Sequence, residues 1–287
     1  MARYLVGPYN NSWNFMDALE KAQDGDTIEF ENGYVFQWPT DEVIVINKSL
    51  HFVGYVVPNP NGNGRMFNNT IEASFRFVEG AQVTFEDLWF KVGGNYTALT
   101  LWNESAITCK QVYFEITTPT NSEFFIYMDT HSKMTLDGVG MKVPEKHQSV
   151  IGMSASELSI QNSTIFSKID LSEGSKLALE NVHIEIFGNN TIHAKDSEVI
   201  AKNSTITGGD LEKDFPPVWL RNVIWESENC KIELPTGTGV CLDNNVQFNS
   251  DSDHMTSINS YNSMIRAHQA TFSEFLCVYE ESFASLT

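Results

Sequence analysis

The sequence predicts an all-β fold, a single-stranded parallel β-helix of about nine or ten coils, on three observations. Short alternating segments broken by one polar residue recur: SELSIQNSTIF from Ser156, SKLALENVHIEIF from Ser175, SEVIAKNSTIT from Ser197 and PVWLRNVIWES from Pro217. Aligned on Asn162, Asn181, Asn203 and Asn222 they lie 19, 22 and 19 residues apart, a period that signals a solenoid, propeller or array. Each unit holds strands of a few residues with period 2 and leaves no room for a helix, which excludes ankyrin-like and tetratricopeptide-like repeats. Asn is a poor strand former but tolerates the left-handed conformation better than any residue except Gly. The central Asn therefore turns a corner between two strands, each of which pairs with its equivalent in the next coil.

The elements follow in order. Residues 7–36 begin with an amphipathic stretch in which Phe15, Ala18, Leu19 and Ala22 share one helical face, with Ser12 or Asn14 as N-cap. GDTI and a first strand come next. Looser copies of the corner motif then appear: QVTFEDLWFKV on Asp87, AITCKQVYFEI on Gln111, KMTLDGVGMKV on Asp137, LDNNVQF on Asn244 and MIRAHQATFSE on Gln269. Corner asparagines with this capped entry resemble the right-handed parallel β-helix superfamily of pectate lyases, polygalacturonases and phage tailspikes. The resemblance is architectural and covers most of the chain. It implies a right-handed solenoid plugged by the helix, stacked corner asparagines bonded to one another, and one region of a longer bacterial or phage protein. The last stretch, FLCVYEESFASLT, reads either as the start of a further coil or as a cap folded back over residues 275–283.

With no linker rich in Pro, Gly or Ser, residues 1–287 are expected to form one domain with a cap over about residues 1–30. The net charge of −19, from 37 acidic and 18 basic residues, argues against nucleic acid, since a phosphate backbone would be repelled. It disfavours anionic polysaccharide and lipid in the same way. The four cysteines sit singly, without a CxxC pair, so neither zinc nor a disulfide framework is expected. No leader or apolar run long enough for a membrane span is present, so the chain as written reads as cytoplasmic, or extracellular if a leader was removed. Of the eight Asn-x-Ser/Thr sequons, several arise simply because a corner Asn precedes Ser or Thr.

Alternation about the corner points Leu88/Phe90, Val112/Phe114, Ser163/Ile165, Val182/Ile184, Ser204/Ile206, Val223/Trp225 and Ala270/Phe272 inward. It points Trp89/Lys91, Tyr113/Glu115, Val139/Met141, His183/Glu185 and Ile224/Glu226 outward along one flat face. There Trp89 and Tyr113, one rung of about 4.8 Å apart, are candidate sugar-binding residues, joined by His183. Glu185 and Glu226 are candidate catalytic carboxylates: two rungs, about 9.5 Å, falls in the range of roughly 6.5–9.5 Å that suits an inverting glycoside hydrolase.

Other features weaken a catalytic reading. Polygalacturonase-type enzymes carry an Asn-x-Asp element, an Asp-Asp pair, a Gly-His-Gly and an Arg-x-Lys, none of which occurs here. No arginine falls beside an acidic cluster in the expected register, as a pectate lyase would require. Asp243, Asp251 and Asp253 lack the spacing of an EF-hand loop, and the glycine pairs at 62–64 and 237–239 lack a Gly-Lys-Ser/Thr ending. No metal or other cofactor is expected. The function expected is a non-catalytic recognition or scaffold module that presents its face to a polysaccharide or protein partner, with a polysaccharide hydrolase or lyase as the alternative.

Overall fold

A computed structural model describes residues 1–39, 42–58, 65–93, 97–117, 124–142, 150–186, 192–208, 216–234, 239–279 and 281–287. The chain divides into two compact units, Met1–Pro144 and Glu145–Thr287. Each is a parallel β-helix whose coils carry three strands, so that three rows of strands run along each unit.

In the first unit, the first row contains Arg3–Val6, Thr27–Phe30, Leu50–Val53, Gln82–Glu86, Ala106–Lys110 and Lys133–Asp137, each parallel to the next. The second row contains Val35–Gln37, Thr70–Glu72, Trp89–Val92, Tyr113–Ile116 and Gly140–Lys142. The third contains Val43–Ile46, Ser74–Phe77, Leu99–Leu101 and Ile126–Met128. A small antiparallel arm, Val56–Pro58 against Arg65–Phe67, is inserted between a first-row and a second-row strand.

In the second unit, the first row is formed by Glu157–Gln161, Lys176–Glu180, 198–202, 224–228, Gln247–Asp251, Met264–His268 and Phe283–Leu286. The second is formed by Thr164–Ile165, His183–Ile186, Thr205–Gly208, Lys231–Glu233, 254–255 and 271–272. The third is formed by Val150–Ser154, Lys168–Ser172, 192–195, 218–221, Val240–Asp243, 258–261 and 275–279. Residues 275–279 thus continue the winding, and the alternative of a cap folded back there does not hold. No helix among the described residues is long and apolar enough to cross a membrane.

The corners explain the recurrent polar residue. Asp87, Gln111, Asn162, Asn181, Asn203, Asn229, Ser252 and Gln269 all have positive φ between a first-row and a second-row strand. Asn181 donates from Nδ2 to Asn162 Oδ1 at 3.3 Å, and Asn229 to Asn203 Oδ1 at 2.8 Å. A second corner, where a third-row strand turns into a first-row strand, has positive φ at Ala155, Glu173, Asp196, Asn222, Asn244, Asn245 and Asn262. Asn222 belongs to this second corner. It follows Arg221 in the register of Asp196 and donates to Asp196 Oδ1 at 2.7 Å. The single file expected for residues 162, 181, 203 and 222 is therefore corrected: the first three share a corner and its next member is Asn229. Both corners need a left-handed residue, so sequence alignment on Asn alone merges them.

The residue after the corner repeats as well. Ser163, Ser204, Ser156, Ser197 and Ser263 are buried, and each donates its hydroxyl to the carbonyl two residues earlier, at 2.5–2.8 Å. Ser204 and Ser263 also accept the backbone N–H of Val182 and Val246 in the preceding coil, both at 3.2 Å. One hydroxyl thus satisfies polar backbone on both sides of a bend that the ladder leaves unpaired. The Asn-Ser pairs at 162 and 203, which read as sequons, are this device.

The inward positions form the core. Leu88, Phe90, Val112, Phe114, Ile165, Val182, Ile184, Ile206, Val223 and Trp225 are all buried as expected. The first unit stacks phenylalanines rung on rung, Phe52 on Phe85 at 5.0 Å and Phe90 on Phe114 at 5.2 Å. Helix Phe15–Lys21 starts at Asn14, whose side chain accepts the Met16 N–H. It buries Phe15 against Phe30, Phe36, Phe52 and Phe75, the apolar plug expected. The expectation fails at Val139 and Met141, which are buried. The corner there is Gly138, beneath the Gln111 side chain where a Cβ would collide, and Asp137 is the last residue of its strand. A shift of one residue reverses every side chain that follows.

Candidate binding faces

The expected sites separate. Trp89 and Tyr113 are register partners in the first unit's second row, as expected. Their rings meet edge to face, 6.0 Å apart at 78°. Phe67, on the antiparallel arm, stacks on Tyr113 at 6.1 Å, and Lys91 Nζ lies 4.8 Å from the centre of the Trp89 ring. Much of this aromatic surface is already engaged in packing.

In the second unit, His183 and Glu185 lie in the second row, where His183 Nε2 is 3.7 Å from Glu185 Oε2. Glu226 lies in the first row, between Ile200 and Asn249. Glu185 and Glu226 therefore stand on different faces, and the two-rung separation expected of an acid and a base does not hold. The reason is the corner: Glu226 precedes Asn229, whereas Glu185 follows Asn181.

The correct register reveals a file that the sequence reading missed. WESEN, FNSDS and IRAHQ superpose on Asn229, Ser252 and Gln269, and place Glu226, Asn249 and Arg266 side by side on consecutive rungs of the first row. They line a shallow depression of about 330 Å³ with Asp251, His268 and Thr287. None of the three has an ion pair or side-chain hydrogen bond among the described residues. Their neighbours do: Lys202 pairs with Glu228 at 3.3 Å, Lys176 with Glu198 at 3.1 Å, and His268 Nδ1 contacts Thr287 Oγ1 at 3.1 Å. Cross-strand pairing of opposite charges is the ordinary way such a face neutralises itself, and the Glu226–Asn249–Arg266 file departs from it.

The third row of the second unit carries another cluster. Asp170 receives Lys168 Nζ at 3.1 Å and lies 2.6 Å from His193 Nδ1, and the His193 ring stacks on Trp219 at 4.5 Å and 6°. Asp170, His193 and Trp219 are successive members of one file, and Lys168 lies two residues before Asp170 on its strand. Burial opposes ionisation of Asp170, but the His193 hydrogen bond and the Lys168 ammonium outweigh it and hold the carboxyl below its ordinary 3.8. A folded-state value below the unfolded one stabilises the protein above the unfolded value, and that contribution is lost as pH falls through the folded value. Asp170→Asn is therefore expected to lower the urea midpoint at pH 7, with the gap from the parent closing below pH 3.8. A gap that persists in acid would contradict the assignment.

The acidic residues near 250 do not converge. Asp243 faces out of the third row, Asp251 out of the first, and Asp253 is buried. Among the described residues no group of three or more His, Cys, Asp or Glu is placed to hold a metal ion. Residues 62–64, and 237–238 of the second glycine pair, lie outside the described residues.

No family model and no curated protein matches the chain. Among solved structures it is similar to a mutant of the PL6 family alginate lyase AlyGC, at 12% identity and a TM-score of 0.43, over 99% of this chain and 53% of that one. A second AlyGC structure matches at 10% identity and a TM-score of 0.34, over 100% and 39%. The Streptococcus pneumoniae surface protein and adhesin PfbA matches at 12% identity and a TM-score of 0.33, over 94% of both chains. The chain spans about half the length of the first of these lyase structures, and at such identities the likeness concerns the fold alone.

Proposed function

We propose that the protein is a non-catalytic β-helix recognition module that binds a glycan along the first row of the second unit. One observation carries this reading: Glu226, Asn249 and Arg266 are unpaired on consecutive rungs and line one depression, while Lys202 and Glu228 beside them pair with each other. The three offer an acceptor, a mixed donor and acceptor, and a donor at intervals of about 4.8 Å, an arrangement that suits the hydroxyl groups of successive sugar units. A sheet-borne file is rigid, so little ordering entropy opposes binding. The net charge of −19 favours neutral or amino-substituted chains over uronic acids.

The test is a screen against neutral and uronic-acid polysaccharides, with affinity measured calorimetrically and the solution assayed for new reducing ends and unsaturated products. Binding of a neutral polymer without product is expected. Arg266→Ala should weaken it about tenfold, the scale of one lost charge-assisted hydrogen bond, while Glu226→Gln changes it only severalfold. Product formation abolished by Glu226→Gln would replace this reading with an enzyme. Binding that is indifferent to Arg266→Ala would remove the site.

A further inference from the structure

The third row of the second unit has a break in a regular stack of side chains. Its outward file runs Asp170, His193, Trp219, Cys241, Asn259 and Cys277. His193 and Trp219 lie ring on ring, almost parallel, at the spacing of one rung. In the adjoining file Tyr261 and Tyr279 repeat the arrangement at 4.9 Å and 9°. Between these two stacks stands Cys241, a side chain with one heavy atom beyond Cβ. One face of the Trp219 indole is taken by His193, and the other is turned toward the rung of Cys241, where the chain supplies no ring. Asn259 closes that level from the next rung, about 9.5 Å from Trp219 along the axis, which is the separation that admits one ring between them.

The surroundings state the chemistry of that ring. The Arg221 side chain, two residues along the strand from Trp219, is exposed and has no partner among the described residues, and the half-buried Asn259 amide has none either. Asp243, two residues from Cys241, accepts from Asn244 Nδ2 at 2.6 Å through Oδ1. The rim thus presents a guanidinium donor, an amide that both donates and accepts, and a carboxylate acceptor around one indole face. A sugar ring has an apolar face of C–H groups and a periphery of hydroxyls that both donate and accept, so it fits both parts. An aromatic ligand fits the indole but leaves the polar rim unused. Burial, then the nearby Asp243 charge, pushes the Cys241 thiol up to about 11, so at neutral pH it is an uncharged thiol and not a nucleophile.

We propose that the Cys241 rung is a seat for a single neutral pyranose ring, stacked on Trp219 and hydrogen-bonded by Arg221, Asp243 and Asn259. It shares the ligand class of the first-row reading but none of its residues, so the two can fail separately.

The seat is tested by titrating the protein with cellohexaose, mannohexaose and chitohexaose in turn, and with indole, while following the Trp219 indole N–H resonance, assigned through Trp219→Phe. At least one hexasaccharide is expected to shift this resonance in the parent and in the Arg266→Ala variant alike. Trp219→Ala should weaken affinity at least about tenfold, in line with stacking energies of roughly 1–3 kcal/mol per ring. Cys241→Trp places the chain's own ring in the gap and should abolish the shift, whereas Cys241→Ser should leave affinity within about twofold, on the scale of a substitution that keeps the space open. If Cys241→Trp does not fold, Trp219→Ala and Cys241→Ser decide the matter by themselves. A shift unaffected by Cys241→Trp, or a calorimetric affinity unaffected by Trp219→Ala, would place the ring elsewhere and overturn the proposal. So would a Trp219 resonance that none of the hexasaccharides moves, or that indole alone moves. Loss of the shift in Arg266→Ala would show that the signal belongs to the first-row site, and would overturn the seat while leaving the first-row reading intact.

Discussion

Trp225→Ala is expected to destabilise the second unit by about 3–5 kcal/mol, the cost of deleting a large side chain from a packed interior. Trp225 is fully buried and stacks on Phe248 at 5.6 Å and 13°. Its indole N–H donates to Ser227 Oγ at 2.9 Å, so the substitution opens a cavity and also removes a buried donor. In a solenoid each coil is stabilised chiefly by its neighbours, so the loss should spread along the unit. Hydrogen exchange should accelerate most at residues 192–279, while Leu99–Leu101 and Ile126–Met128 in the first unit keep their protection. Trp225→Phe retains most of the apolar contact and should cost about 1–2 kcal/mol, mainly the missing hydrogen bond. Equal effects of the two substitutions would contradict this division between cavity and donor. Because Trp225 and Glu226 are consecutive, one inward and one outward, Trp225→Ala should also weaken ligand binding at the depression without touching the ligand.

Asp253→Ala is the second large effect, expected at about 3 kcal/mol or more. Asp253 follows the corner residue Ser252 and occupies the inward position that Ser163 and Ser204 hold in other coils. It performs the same task with a carboxylate. Oδ1 accepts the Cys230 N–H of the preceding coil at 2.7 Å, as Ser204 Oγ accepts that of Val182. Oδ2 accepts the hydroxyls of Ser227 at 2.5 Å and Ser250 at 2.7 Å. Removing the carboxylate leaves three buried donors without an acceptor, and each such group costs about 1–3 kcal/mol where it cannot find a substitute. Asp253→Asn keeps the acceptor for Cys230, and the two hydroxyls can rotate to accept from its amide, so its cost should be near 1 kcal/mol. Ser227 joins Trp225 to Asp253, so the double variant should lose less than the sum of the single ones. Strict additivity in denaturant titrations would show that the chain from Trp225 through Ser227 to Asp253 does not act as a unit.

The period-2 alternation and the recurring left-handed residue were legible from the chain, because both are local: alternation reports which side chains a coil buries, and Asn reports where the backbone bends. The plug was legible for the same reason, from helical spacing of Phe15, Ala18 and Leu19 and from an Asn able to cap them. The candidate sites were not. Both corners of a coil ask for the same conformation, and Asn, Asp, Gln, Ser, Ala, Glu and Gly all serve, so the residue type does not say which corner is meant. Placing Asn222 with Asn203 moved Glu226 to the wrong face, and placing the bend at Asp137 instead of Gly138 turned Val139 and Met141 inside out.

By itself, then, the sequence determined that the chain winds in coils of short strands around an apolar interior, and which end carries a helical plug. Only the tertiary structure decided which residues become neighbours between coils: Glu226 with Asn249 and Arg266, His193 with Asp170 and Trp219, Asp253 with Ser227 and Cys230. The physical reason lies in the ladder. Burial pattern is repeated within every coil and can be read from a few residues, but the pairing register between coils depends on the whole length of each turn, and coils of unequal length bring together residues whose separation in sequence follows no fixed period.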